Sequence, residues 1–234
     1  MLVKRHQLEG RILYIKGHKE SLNQAKGALE SFENNGFSKV SLREGVTPKT
    51  LDRSNFDFPI LKNGRLDSFR KNTKKFLTKL SCLHNTLSFC TEVVENNKPM
   101  LSAEHDCISK TSFDQIQVTD FCFLNYDTAF QYTCLNKKKF KKYKSYSHTG
   151  INFFPNNYPL TYKYKTMYEG AVLPPGLAGY ILTPTGARKI LNAVYKNGLE
   201  QCDLLINSYV LKLEYIHPSI CTYNPINLRT SHGF

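Results

Sequence analysis

The chain has 234 residues, 41% of them hydrophobic, which suffices for the core of one large domain or two small ones and excludes a disordered chain. Its 32 Lys and Arg against 19 Asp and Glu leave a net charge of +13, a field that attracts polyanions such as nucleic acid, acidic headgroups and sugar phosphates. No apolar run approaches the ~20 residues that span a bilayer, and "MLVKRHQLEG" lacks the apolar core of a secretion signal, so a soluble cytoplasmic protein is expected.

In chain order, "RILYI" at 11–15 reads as a first strand. Leu22, Ala25, Leu29 and Phe32 then form one helical stripe, and Gly36 marks the stop. "SKVSL" at 38–42 follows as a strand, so the chain opens as β-α-β, the start of an α/β domain with a mostly parallel sheet flanked by helices. Residues 45–75 read as loop with a short helix near 65–75. From Lys79 to Asn96 the residues Leu80, Leu83, Leu87, Cys90 and Val94 recur at helical spacing, and Pro99 discourages continuation.

The next segment, "KPMLSAEHDCIS" at 98–109, runs from an apolar strand directly into Glu104, His105 and Asp106. Residues two apart in an extended segment share a side, so Glu104 and Asp106 suit a hard divalent ion such as Mg2+ or Mn2+, with His105 facing away. With 19 acids in the chain such a pair also arises by chance. Its place after an apolar strand singles it out, because a carboxylate there must stay solvated or find a cation.

A strand is expected around 118–125. The run "KKKFKKYK" places Lys137, Lys138, Lys139, Lys141, Lys142 and Lys144 around Phe140 and Tyr143, with Tyr146 beside them. It reads either as a solvated loop or as a grip for phosphate backbones with rings on which bases stack. "GLAGYILT" at 176–183 reads as a buried strand, followed by a helix capped by Thr183, with Pro184 in its first turn and Gly198 at its end. Residues 203–213 read as another helix, and "EYIHPSICTYN" supplies a last short strand before a tail. The seven cysteines show no C-x-x-C spacing, which argues for reduced thiols rather than a zinc site. No internal repeat or linker is evident, so one domain spans 1–234.

The segment "SCLHNTLSFCTEVVENNKPMLSAEHDCI" resembles the central signature of family 25 glycosyltransferases, the lipooligosaccharide and collagen glucosyl/galactosyltransferase group. That family shows a Gly-Cys-x-x-Ser-His helix start, a Pro, an apolar strand and an acidic triplet. Cys82 matches its cysteine, and Glu104, His105 and Asp106 fall on the triplet, one residue early. "GRILYIKGHKESLNQAKGALESFENNGF" is similar to its opening strand and helix, "LAGYILTPTGARKIL" to its later Ser-Pro-x-Gly-Ala block, and "QCDLLI" to its Pro-x-Asp element. The chain departs from the family at Lys16–Lys19, at Ser81–Thr86 and at His105.

The resemblance implies a GT-A nucleotide-diphospho-sugar fold, with a nucleotide-sugar half to about 110 and an acceptor half beyond it. It implies inverting transfer from a UDP-sugar with Mn2+ or Mg2+. Asp106, then Glu104, would hold the ion, and His232 in the tail is a further ligand or phosphate partner. Ile15, Lys16 and Gly45 in the early loops, with Glu104 and Arg229, would contact the donor. Asp203 would be the base on the acceptor hydroxyl, with Glu200 and Asp127 behind it. The acceptor would be polyanionic, either a lipooligosaccharide-type glycan or DNA with a hydroxylated base. Two other classes stay open: a non-catalytic basic nucleic-acid-binding protein on a degenerate transferase fold, and a metal-dependent phosphoesterase.

Overall fold

Glu9–Ile15, whose Ile12, Leu13, Tyr14 and Ile15 form an apolar run, makes a strand paired on both edges in the central sheet. The computed structural model describes residues 1–52, 58–126, 138, 142, 147–174 and 176–223. In chain order they form β1 (Leu2–Lys4), β2 (Glu9–Ile15), α1 (Lys19–Asn34), β3 (Lys39–Gly45), α2 (Arg65–Ser68), α3 (Thr73–Asn96), β4 (Met100–Glu104), β5 (Cys107–Ser109), β6 (Gln115–Gln117), β7 (Phe121–Phe123), β8 (Gly150–Phe153), β9 (Gly179–Leu182), α4 (Pro184–Asn197), α5 (Cys202–Leu205), β10 (Leu213–His217) and β11 (Cys221–Tyr223).

The opening β-α-β unit forms as expected, with β2 and β3 parallel. Helix α1 starts where the His18 ring accepts from the Ser21 N–H at 3.2 Å. Its buried stripe is centred on Ala25, Ala28 and Phe32, while Leu22 and Leu29 are half-buried at its margins. Gly36 adopts φ +81°, and the Phe37 N–H returns to the Phe32 carbonyl at 3.0 Å, closing the helix. Helix α3 starts six residues before the expected point, because Asn72 accepts from the Lys75 N–H at 3.1 Å. It ends at Asn97, which is left-handed at φ +49°.

The central sheet has seven strands in the order β3-β2-β4-β9-β7-β10-β8. It is mixed rather than mostly parallel: β2 pairs in parallel with β3 and β4, and β7 with β10, but β9 opposes both its neighbours and β8 opposes β10. Alternation along each strand builds two cores. Met100, Phe121, Phe123, Tyr180 and Leu182 meet Phe89, Cys90 and Val93 of α3 and Ala187 and Ile190 of α4. Ile12, Leu101, Ala103, Cys122 and Ile181 meet Ala25, Ala28 and Phe32 of α1 on the other face.

The expected helix at 203–213 is corrected to the single turn of α5. The Asn207 side chain accepts from the Tyr209 and Val210 N–H groups, diverting the backbone into turns. Leu213 then enters β10, where it aligns with Phe121. The expected strand at 118–125 is confined to β7, and two-stranded ribbons, β1–β6 and β5–β11, lie outside the main sheet. Thr183 caps α4 through the Gly186 N–H at 3.1 Å, and Gly198 ends it at φ +95°, where a Cβ would stand 2.5 Å from the Pro59 carbonyl. Cys82, Cys90, Cys107, Cys122, Cys202 and Cys221 are free thiols, and Cys134 lies outside the described residues. Among the described residues no helix is long and apolar enough to cross a membrane.

Candidate functional site at the acidic turn

The crossover through α1 carries the chain from β2 to one side, and the next, through α3, carries it past β2 to β4 on the other. The carboxyl ends of β2 and β4 therefore flank a topological switch point, where open α/β sheets present a crevice to ligands. Ile15 and Gly45 are paired at the end of the β2–β3 ladder, and Glu104 is aligned with Leu13 at the end of β4. Lys16 follows at once, its ammonium 2.9 Å from the Glu44 carboxylate. The early loops and the acidic turn thus share one edge of the sheet.

Glu104 is the last residue of β4, and alternation with Met100 and Ser102 puts its side chain on the face that α3 covers. The side chain is exposed to solvent, while protein atoms crowd its carboxyl at the end of the strand. That enclosure pushes its pKa up to about 8, with Asp106 and Asp203 adding repulsion and Lys79 opposing. Cys82 on α3 has the same character, solvent-open and enclosed, and its thiol is pushed up to about 11 by the same cause.

Asp106 sits in the turn between β4 and β5 and is half-buried. Its Oδ1 is buried with no hydrogen-bond partner among the described residues. Burial raises its pKa, while neighbouring His105 pulls it down. His105 is 9% exposed and lies within electrostatic reach of Asp106 and of His18, the cap of α1. Burial lowers its pKa.

Asp203 opens the single turn of α5 and is exposed. It does not cap that turn, whose N-cap is Gln201; instead Gln201 Nε2 donates to Asp203 Oδ2 at 2.8 Å. The charges of Glu104 and Asp203 reach each other, so turn and helix, about 100 residues apart in sequence, contribute to one acidic recess. Tyr223, the last residue of β11, joins them: burial raises its phenol, and Glu104, Asp106 and Asp203 raise it further.

Among the described residues no three His, Cys, Asp or Glu side chains are grouped to hold a metal ion. Two carboxylates, one of them carrying the unsatisfied buried oxygen, suit Mg2+ or Mn2+, which take one or two protein carboxylates and complete their shells with water and substrate phosphates. Glu200, in contrast, is fully buried and accepts from the N–H groups of Arg65, Leu66 and Gln201 and from the Tyr162 hydroxyl, all within 2.8 Å, so it organises α2 instead of serving as a base.

Of the remaining expected residues, Lys138 and Lys142 are exposed. Lys137, Lys139, Lys141, Lys144, Asp127, Arg229 and His232 lie outside the described residues. A groove of about 480 Å³ between β2, β3 and α3, lined by Arg11, Arg43, His84, Asn85, Ser88 and Glu92 among others, includes none of the acids of the recess. Sequence reasoning missed Tyr223 and Lys79. Tyr223 carries no local signal, and only the helical offset of three between Lys79 and Cys82 hints that the lysine borders the site. No family model and no curated protein matches the chain.

Proposed function

We propose that the chain is a metal-dependent inverting glycosyltransferase of the family 25 type. On this reading it moves a hexose from a UDP-sugar to a hydroxyl of a polyanionic acceptor. The observation that carries the reading is the acidic recess at the switch-point crevice, above all the unpartnered, buried Oδ1 of Asp106. The three parallel strands β3, β2 and β4 beside the acidic turn are compatible with the α/β architecture that this reading calls for.

Asp106 and Glu104 would hold Mn2+ or Mg2+, with His232 as the further ligand the resemblance implies. Bound there, the ion would supply charge to offset what develops on the departing diphosphate. The acids alone would repel a diphosphate, so a cation among them favours entry of the donor. Ile15, Lys16 and Gly45 lie at the same sheet edge to line the nucleotide, and Arg229 is the further donor contact that the resemblance implies. Asp203 accepts the acceptor's hydroxyl proton as the new C–O bond forms and the bond to the diphosphate breaks. Gln201 orients that carboxylate by holding Oδ2, while Oδ1 receives only the weak Cys202 thiol contact at 3.8 Å and can exchange it for the proton.

A thermal-shift panel of nucleotide-sugars with and without Mn2+ tests the proposal. A rise in melting temperature that needs both UDP-sugar and Mn2+, and vanishes in Asp106→Ala, supports it. The same rise in Asp106→Ala, or none with any nucleotide-sugar, removes it. Phosphate release from the donor without acceptor would favour a phosphoesterase instead.

A further inference from the structure

We infer that Lys79 is the protein's own cationic contact for the donor diphosphate, gripping it from the helix side while the acidic turn works from the sheet side. The inference rests on the transferase reading and names a residue which that reading did not use.

The position follows from helix geometry. Leu80 and Leu83 of α3 are buried in a cluster with Cys202 and Leu205 of α5, which fixes the rotation of this part of the helix. Lys79 and Cys82, three residues apart, are neighbours on the adjoining face. Cys82 is exposed and lies within electrostatic reach of Glu104 and Asp203, so that face of α3 borders the acids. Glu104 projects from β4 onto the side of the sheet that α3 covers, and Asp203 extends from α5, which packs on α3.

Lys79 is half-buried on this face. Its charge is felt on three elements at once: at Cys82 on α3, at Glu104 on β4 and at Cys202 on α5. Nevertheless it closes no ion pair with Glu104 or Asp203, and none with any other described residue. A lysine ammonium on a four-carbon stem can rotate toward an incoming anion without breaking a bond it already has. The carboxylates need a divalent ion to turn their side of the recess attractive, whereas Lys79 makes the opposite wall attractive without one. A diphosphate between them would meet positive charge on both sides, and the fixed lysine charge would gain strength as negative charge moves onto the leaving group.

The test uses titration calorimetry on wild type, Lys79→Ala and Lys79→Arg, with UDP in saturating Mn2+, uridine, and Mn2+ alone. Losing a charge-assisted contact should weaken UDP by about tenfold or more in Lys79→Ala. Lys79→Arg should keep most of the affinity, uridine binding should not change, and Mn2+ alone should bind at least as tightly as to wild type. Lys79 is not part of the core, so both variants should melt with the wild type.

UDP affinity equal in wild type and Lys79→Ala overturns the inference and leaves the transferase reading standing. So does a loss of UDP affinity that merely follows a loss of Mn2+ affinity, since Lys79 would then be supporting Glu104. A wild-type protein that binds no UDP with Mn2+ present overturns the transferase reading, and the inference with it.

Discussion

Glu104 and Asp203 show how much the setting of one carboxyl decides. Glu104 is enclosed and flanked by two acids, so its pKa rises from 4.5 to about 8. A carboxyl whose pKa rises on folding holds its proton longer in the native state than in the unfolded chain. Its contribution to stability is therefore complete below pH 4.5 and declines as the pH climbs toward about 8. Glu104→Gln cannot lose a proton there, so across that window its melting temperature should fall less than that of the wild type. Parallel pH profiles of the two proteins would dismiss the enclosed-carboxyl description. Asp203, exposed and aimed by Gln201, makes a different demand. If it takes the acceptor proton, Asp203→Asn should lower kcat by about 10²–10⁴-fold while donor binding holds. Equal losses in turnover and donor affinity would assign it to binding.

Among the elements, α2 depends most on a distant side chain. It is a single turn, and Gly64 at its start leaves no room for a Cβ, which would stand 2.3 Å from Glu200 Oε2. Glu200 receives the first N–H groups of that turn as well as the Tyr162 hydroxyl, joining three stretches of chain. Glu200→Ala strands these buried donors, and chemical denaturation should show a loss of about 3 kcal/mol or more. A change below about 0.5 kcal/mol, the level of an ordinary surface substitution, would mean the donors find other partners. Helix α4 is the opposite case. Thr183, Pro184 and Gly198 supply its cap, its first turn and its stop from within the segment itself.

On the scale of the whole molecule, the excess of positive charge decides what the surface attracts. A polyanion such as duplex DNA or heparin should bind with an affinity that drops steeply with salt, and each phosphate contact removed should flatten the log–log slope by about 0.9. Neutralising Lys137, Lys138, Lys139, Lys141, Lys142 and Lys144 should flatten it accordingly if the run grips the acceptor. An unchanged slope would make the run a solvated connection. DNA binding indifferent to both UDP and Asp106→Ala would favour the non-catalytic nucleic-acid-binding reading.

Local pattern was enough for β2, α1, β3, α3, β9 and α4, because each carries its own apolar period and its own stop signals within a dozen or two residues. The acidic turn could be read for the same reason: an apolar strand ending in two carboxylates is a contrast visible along the chain. Apolar spacing misled at 203–213, where Asn207 bends the backbone and β7 recruits Leu213 into a ladder, and both events depend on partners far away in sequence. The direction of β9, the fully bonded state of Glu200, and the meeting of Glu104, Asp203, Lys79 and Tyr223 in one recess likewise came only with folding. A strand's partner and a carboxyl's neighbours are set by how helices cross the sheet, and no window of sequence contains that crossing.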